Sequence, residues 1–201
     1  MAKNIIRKKS KSIAEFKVNI DIVSKTRDIS VNEVWTKLVD WQDQSNWMMQ
    51  TQVWSDIDNI EEKDASEVSI SLNGVGVRIW AFTGLGARSV SNNFRSKSTN
   101  TFKQRARWAI SSRFFQSLGL LDEMVITKWS PPLICEVDHV GKIIKGKGIF
   151  RLEKISNGVR FYWLEEIKAP KIILFLVRPI ILFGVKVSLR KFKKLIISQN
   201  I

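Results

Sequence analysis

The 201-residue chain holds one histidine and one cysteine, both within "CEVDHVGKIIKGKGIF", which runs from Cys135 to Phe150. Single copies restrict the chemistry at once. A disulfide inside the chain needs a second cysteine, and a structural zinc site needs a Cys/His cluster. No metal and no cofactor is therefore expected. What remains is an imidazole able to act as acid, base or hydrogen-bonding group near neutral pH. In "LICEVDHV", Leu133, Cys135 and Val137 share a face, which puts His139 at the end of the apolar side. In "VRFYWLEEI", Val159, Phe161, Trp163 and Ile167 share a face, and the same parity carries Glu165 inward. Phe150 and Leu152 point inward from "FRLEKI".

A carboxylate beside an imidazole in an apolar pocket can hold it charged or orient it for proton transfer. It can equally supply hydrogen bonds to the head of an apolar ligand. A third reading is structural: His139 is a satisfied core or rim residue and Glu165 pairs with a lysine at the sheet edge. Asp122 is a further candidate whose face stays open. In "LDEMVITKW", inward Met124 and Ile126 would bring Asp122 with them, whereas inward Val125 and Trp129 would turn it out. The expected cavity lining is Trp47, Trp80, Asp122, Met124, Cys135, His139, Phe150, Phe161, Trp163 and Glu165. Trp54 is a further candidate for the pocket or its mouth. Gly146 and Gly148 in "KGKG" lack the following helix N-terminus that a phosphate cradle needs. They are expected to form a tight turn with a bulge between two strands.

The elements that must position these residues follow from periodicity. "FKVNIDIV" alternates as a half-buried strand, with Phe16, Val18, Ile20 and Ile22 on one face. Val31, Val34, Trp35, Leu38 and Val39 then form a helical stripe, opened by Ser30 and Glu33 as a capping box. Asp40 to Trp47 reads as a short second helix or a turn, and "MQTQVWSDI" as a strand. Asn73-Gly74 marks a turn within "SEVSISLNGVGVRIWAFTGLG". Strands follow in "LLDEMVITKW", "LICEVDHVGKII", "KGKGIFRLEKI" and "VRFYWLEEIK", separated by "SPP" and by Ser156-Asn157-Gly158. One long helix, with Pro179 inside it, then extends to about Ser198. Short sequential connections favour antiparallel pairing, so the class is α+β: a curved sheet around a C-terminal helix, with a two-helix insert after the first strand.

The net charge of +14 is unevenly spread. Arg88, Arg95, Lys97, Lys103, Arg105, Arg107 and Arg113 fall in a stretch from Ala87 to Gln116 that has no acid. The chain from Lys171 onward is also basic, as is the start. Such segregation suits a polyanion, either RNA or an anionic membrane surface, or else only solvated helix faces. The apolar run Ile172 to Val185 is shorter than a membrane span and interrupted by Arg178 and Pro179, so a buried helix is expected. The basic start lacks an apolar run of signal-peptide length. The expected location is the cytoplasm, with visits to the inner membrane surface.

Several of these stretches resemble a known family. "VNEVWTKLVDWQDQSNWM", "NGVGVRIWAFTGLG", "MVITKWSPPLICEVDHVGKIIKGKGIFRLEKISNGVRFYWLEE" and "RPIILFGVKVSLRKF" are similar to the polyketide cyclase/dehydrase-like branch of the START superfamily (SRPBCC), in particular its small actinobacterial members. The resemblance covers a single domain from about residue 13 to 201, apart from the basic insertion at about 87–116, and leaves out the tail 1–12. It implies a helix-grip fold with a ligand cavity between sheet and long helix. It does not name an activity, because superfamily members include lipid carriers, quinone-binding proteins, ribosome-associated proteins and aromatase/cyclases. The expected function is binding of a hydrophobic small molecule or lipid in that cavity. The alternative is an aromatase/cyclase-like enzyme using His139 with Glu165. A third reading, an RNA- or ribosome-associated interaction protein, rests on charge alone.

Overall fold

A computed structural model of the chain describes residues 12–59, 73–84, 119–169 and 171–198. The basic tail before residue 12, the acidic "EEKDAS" segment and the basic insertion at about 87–116 lie outside the described residues. In chain order the elements are β1 (Ser12–Val23), α1 (Val31–Leu38), α2 (Gln44–Trp47) and β2 (Thr51–Ser55). They continue with β3 (Arg78–Gly84), β4 (Gly119–Ser130), β5 (Ile134–His139) and β6 (Gly146–Ile155). β7 (Gly158–Ala169) and the long helix α3 (Lys171–Ser198) complete the fold.

The strands form one curled antiparallel sheet in the order β1-β7-β6-β5-β4-β3-β2. β2 to β7 run as a meander, and β1 closes the far edge beside β7. The α1–α2 pair therefore carries the chain from one edge of the sheet to the other. This is the helix-grip α+β architecture, with the sheet curled around α3.

Register places the apolar rows on a common inner face. Phe16, Val18, Ile20 and Ile22 lie opposite Glu165, Trp163, Phe161 and Val159. Phe150 and Leu152 lie opposite Trp163 and Phe161 on the next pair. On α3, Ser188, Leu189, Phe192 and Ile196 are buried, the three-and-four spacing of a helix face turned to a core. Phe192 packs against Trp47 at 4.7 Å and Phe161 at 5.7 Å between ring centroids. Burying each such side chain contributes about 1.5–3 kcal/mol.

α1 starts where the sequence places it: the Glu33 N–H donates to Ser30 Oγ at 3.1 Å. The capping box is only half made in this way, because the Glu33 carboxylate is taken up by Arg27. Arg27 also donates to the Ile196 carbonyl at 2.8 Å, tying the start of α1 to the end of α3. Among the described residues, no helix is long and apolar enough to cross a membrane.

One expectation needs correction, and one open question is settled. The turn between β5 and β6 is built by residues 140–145, and both glycines of "KGKG" sit inside β6. They are paired there, Gly146 with His139 and Gly148 with Val137. The ambiguity over β4 also has a physical cause. Ile126 lies opposite Val137 and Lys128 opposite Glu136, so Thr127 is an extra residue, a β-bulge. The bulge reverses the parity. Met124 and Ile126 face inward before it, and Trp129 faces inward after it, where it packs on Trp35 at 5.0 Å. Asp122 therefore points inward without turning Trp129 out.

Candidate functional site

Between the inner face of the sheet and α3 lies a cavity of about 430 Å³. Its walls are largely apolar. Val53, Ile79 and Ala81 come from β2 and β3, Met48 and Met49 from the segment after α2, and Ile181 and Val185 from α3. Of the residues expected there, Asp122, Met124, Cys135, His139, Phe150, Trp163 and Glu165 line it.

Three residues expected in the lining are elsewhere. Trp80 lies on the opposite face of the sheet, because Ile79 and Ala81 occupy the inward positions of β3. It is buried there with Trp54, Phe82 and Leu121. Trp47 and Phe161 face inward but sit deeper, packed against Trp163 and Phe192 on the core side of the cavity wall. The basic residues Arg88, Arg95, Lys97, Lys103, Arg105, Arg107 and Arg113 lie outside the described residues.

The acidic and basic side chains of the described wall meet in one cluster. His139 Nδ1 meets Asp122 Oδ2 at 2.7 Å and His139 Nε2 meets Glu165 Oε2 at 2.9 Å. The indole of Trp163 donates to Glu165 Oε1 at 2.6 Å, fixing the second oxygen of that carboxylate. The side chains are 4% exposed for His139, 14% for Asp122 and 15% for Glu165. Burial pushes the imidazole towards its neutral form, but the hydrogen bonds and charges of the two carboxylates outweigh it. They raise its pKa from 6.5 to about 10. At neutral pH the ring is an imidazolium that donates from both nitrogens, one to each flanking carboxyl group. Cys135 is a different case: burial first, then the charge of Glu136, pushes its thiol up to about 12. It is not a thiolate nucleophile at neutral pH.

The His139–Glu165 contact spans β6, a separation of about two strand spacings, or ~9.5 Å. Side chains can meet over that distance only if the strand beneath leaves the space open. Gly148 does so, lying between Val137 of β5 and Glu165 of β7. A Cβ at Gly148 would sit 3.0 Å from Val137 Cγ2 and 3.2 and 3.3 Å from the two Glu165 oxygens. Sequence reasoning assigned this glycine to a turn. The usable signal was its parity: Gly148 is two residues before Phe150, on the same inward row.

Ser188, Gln44 and Trp41, also on the wall, are already engaged, whereas the exposed Gln50 side chain has no hydrogen-bond partner among the described residues. Ser188 Oγ donates to the Gly184 carbonyl at 2.8 Å and accepts from the Met49 N–H at 2.9 Å. The Gln44 amide donates to the Leu38 carbonyl at 2.7 Å. The Trp41 indole donates to Asn73 Oδ1 at 2.7 Å. Ser188 thereby anchors the segment after α2 to α3, a role no periodicity announced.

Neither a family model nor a curated protein sequence matches this chain. Solved structures do resemble it. A protein of Nitrosomonas europaea superposes with a TM-score of 0.53 at 8% identity, over 90% of this chain and 92% of that one. A protein of Mycobacterium smegmatis gives a TM-score of 0.53 at 10% identity, over 93% of each chain. The di-domain ARO/CYC StfQ from the steffimycin biosynthetic pathway gives a TM-score of 0.53 at 10% identity, over 90% of this chain and 50% of StfQ. At such identities the likeness is one of fold, and the fold shared is the curled antiparallel sheet with its C-terminal helix.

Proposed function

We propose that this protein binds a hydrophobic small molecule or lipid in the cavity between the sheet and α3. One observation carries the reading: an apolar cavity of about 430 Å³ with the buried His139–Asp122–Glu165 cluster at its wall. Ligand pockets combine those two features, apolar walls for affinity and a few placed polar groups for orientation. The expected result of native mass spectrometry on the purified protein is a co-purifying apolar ligand released on denaturation. A variant separates the cavity from the fold. Gly184 lies on the α3 wall, and a Cβ there meets only the mobile end of Met49, at 3.4 Å from Cε. Gly184→Leu should fill the cavity while improving helix propensity by about 0.8–1 kcal/mol. Loss of ligand with an unchanged circular dichroism spectrum is the expected outcome; full ligand retention overturns the reading.

A second reading, an aromatase/cyclase-like enzyme, has support from the contacts of His139 with both Glu165 and Asp122. An imidazolium with both nitrogens engaged fits the role of acid or electrostatic stabiliser, and not that of a general base. The ligand recovered from the protein discriminates between the two. Chemical conversion of that ligand, abolished in His139→Gln, supports the enzyme; recovery unchanged supports the binding protein.

Delivery of an apolar ligand fits contact with an anionic membrane surface. Phe175 and Phe183 are 80% and 63% exposed on α3, beside exposed Arg178, Lys186 and Arg190. Exposed aromatics flanked by cations are the composition of an interfacial helix.

A further inference from the structure

We propose that the cavity selects amphiphiles whose head donates hydrogen bonds, an alcohol or an amine, and rejects carboxylate heads of the fatty-acid type. This rests on the reading of the cavity as a ligand pocket and adds the chemistry of the ligand's head. The argument is an inventory of donors and acceptors at the wall. Among the described lining residues there is no lysine and no arginine. Both ring nitrogens of His139, the only cationic group there, are held by Asp122 and Glu165. The Trp163 and Trp41 indoles and the Ser188 hydroxyl each already donate to a protein acceptor, and the Gln44 amide gives one of its two N–H groups to Leu38. Among the described lining residues the exposed Gln50 amide and the second Gln44 N–H are left as neutral donors, neither of them cationic. Thr51 and Thr83 share a hydrogen bond with each other at 3.0 Å.

The acceptor side is the reverse. Each carboxylate oxygen can take more than one hydrogen bond. Asp122 Oδ1 is buried and has no partner among the described residues. A carboxylate head placed at the cluster would meet two carboxylates with one positive charge between them and few free donors. Like charges brought together in such a place repel one another with little water to screen them. A hydroxyl or ammonium head would instead donate to the carboxylate oxygens of Asp122 and Glu165, which have acceptor capacity left, and an ammonium would bring the opposite charge.

Matched ten-carbon probes test this: decylamine, 1-decanol and decanoate, each displacing the neutral fluorophore N-phenyl-1-naphthylamine at pH 7.5 and 150 mM salt, below micelle concentrations. The amine and the alcohol should displace it at concentrations at least ~10-fold lower than decanoate. The protein's overall charge of +14 would by itself favour decanoate, so the opposite order reports the pocket. Amine ahead of alcohol assigns the selectivity to charge; equal affinities assign it to hydrogen-bond donation. In the Asp122→Asn/Glu165→Gln double variant the preference should shrink to within a few-fold. Should that variant misfold by circular dichroism, the single variant Glu165→Gln, which keeps an acceptor for Trp163, is expected to reduce it in the same direction. Displacement by decanoate as strong as by the other two overturns the selectivity and leaves the pocket standing. Failure of the fluorophore and of all three probes to bind overturns the pocket itself, and the selectivity with it.

Discussion

His139 is the residue on which the site's electrostatics turn, and its consequences are measurable without knowing the ligand. Its folded-state pKa of about 10 lies above the ordinary 6.5. Folding therefore favours the charged ring. The resulting stabilisation is complete below about pH 6.5 and is lost as pH rises towards 10. The groups that face the ring are Asp122 and Glu165; the Cys135 thiol, pushed up to about 12, stays protonated across that window. The urea midpoint of the wild type is expected to fall between pH 7 and pH 10, more steeply than that of His139→Gln. His139→Ala at pH 7 should cost about 3–5 kcal/mol, because it leaves two carboxylates without their shared cation. Equal slopes for wild type and variant would show that the ring is not charged in the folded protein. The inward position of Glu165 was readable from the parity of Val159, Phe161 and Trp163. Its bond to the Trp163 indole was not, because alternation assigns a face and says nothing of rotamers that bring residues two apart into contact.

At the scale of elements, two backbone details assemble the cluster. The bulge at Thr127 lets β4 present Asp122 and Met124 to the cavity while Trp129 still packs on Trp35. Strict alternation cannot represent an inserted residue, so the sequence supported both phases of β4 and chose neither. The β1, β5 and β7 faces contain no such irregularity, and their alternation could be followed directly from Phe16 to Ile22, Cys135 to His139 and Val159 to Ile167; Leu133, expected on the same inward row, instead lies in the turn before β5 and is exposed. Deleting Thr127 should force one half of β4 to the wrong face and prevent cooperative unfolding in a thermal scan; a sharp transition near the wild-type midpoint would show that the strand tolerates regular pairing. Gly148 is the second detail. Gly148→Val puts branched carbon where the Glu165 carboxylate crosses β6, against neighbours already at 3.0–3.3 Å from a single Cβ. Overpacking of this kind costs typically about 1–3 kcal/mol. It should also separate Glu165 from His139 and flatten the pH dependence of stability between 7 and 10. A drop in stability with the pH dependence intact would mean that the variant repacks around an unbroken contact.

At the scale of the whole molecule, the proposed pocket would hold a ligand but does not say where one is collected, and the charge bears on that question. Much of the basic sequence, including the stretch from Arg88 to Arg113, lies outside the described residues, so the surface argument rests on α3. Its exposed residues include Phe175, Phe183, Lys186 and Arg190, while Val185, Ser188 and Leu189 of the same helix face the cavity or core and Arg178 lies over the ring of buried Phe16. One helix thus forms both a wall of the pocket and an amphipathic outer surface, and a membrane engaged by the second would lie close to the first. Cosedimentation with vesicles of phosphatidylcholine and phosphatidylglycerol checks this. Binding should require the anionic lipid and weaken between 50 and 500 mM salt, since the screening length of exposed charges falls from roughly 14 to roughly 4 Å over that range. Phe175→Ala/Phe183→Ala removes apolar area without touching charge, and insertion of two phenylalanines is worth enough that partitioning should drop at least ~10-fold. Because neither side chain lines the cavity, displacement of N-phenyl-1-naphthylamine in solution should not change. Vesicle binding that persists in the double variant but disappears at high salt would assign the contact to charge alone, and the phenylalanines would then have no part in it.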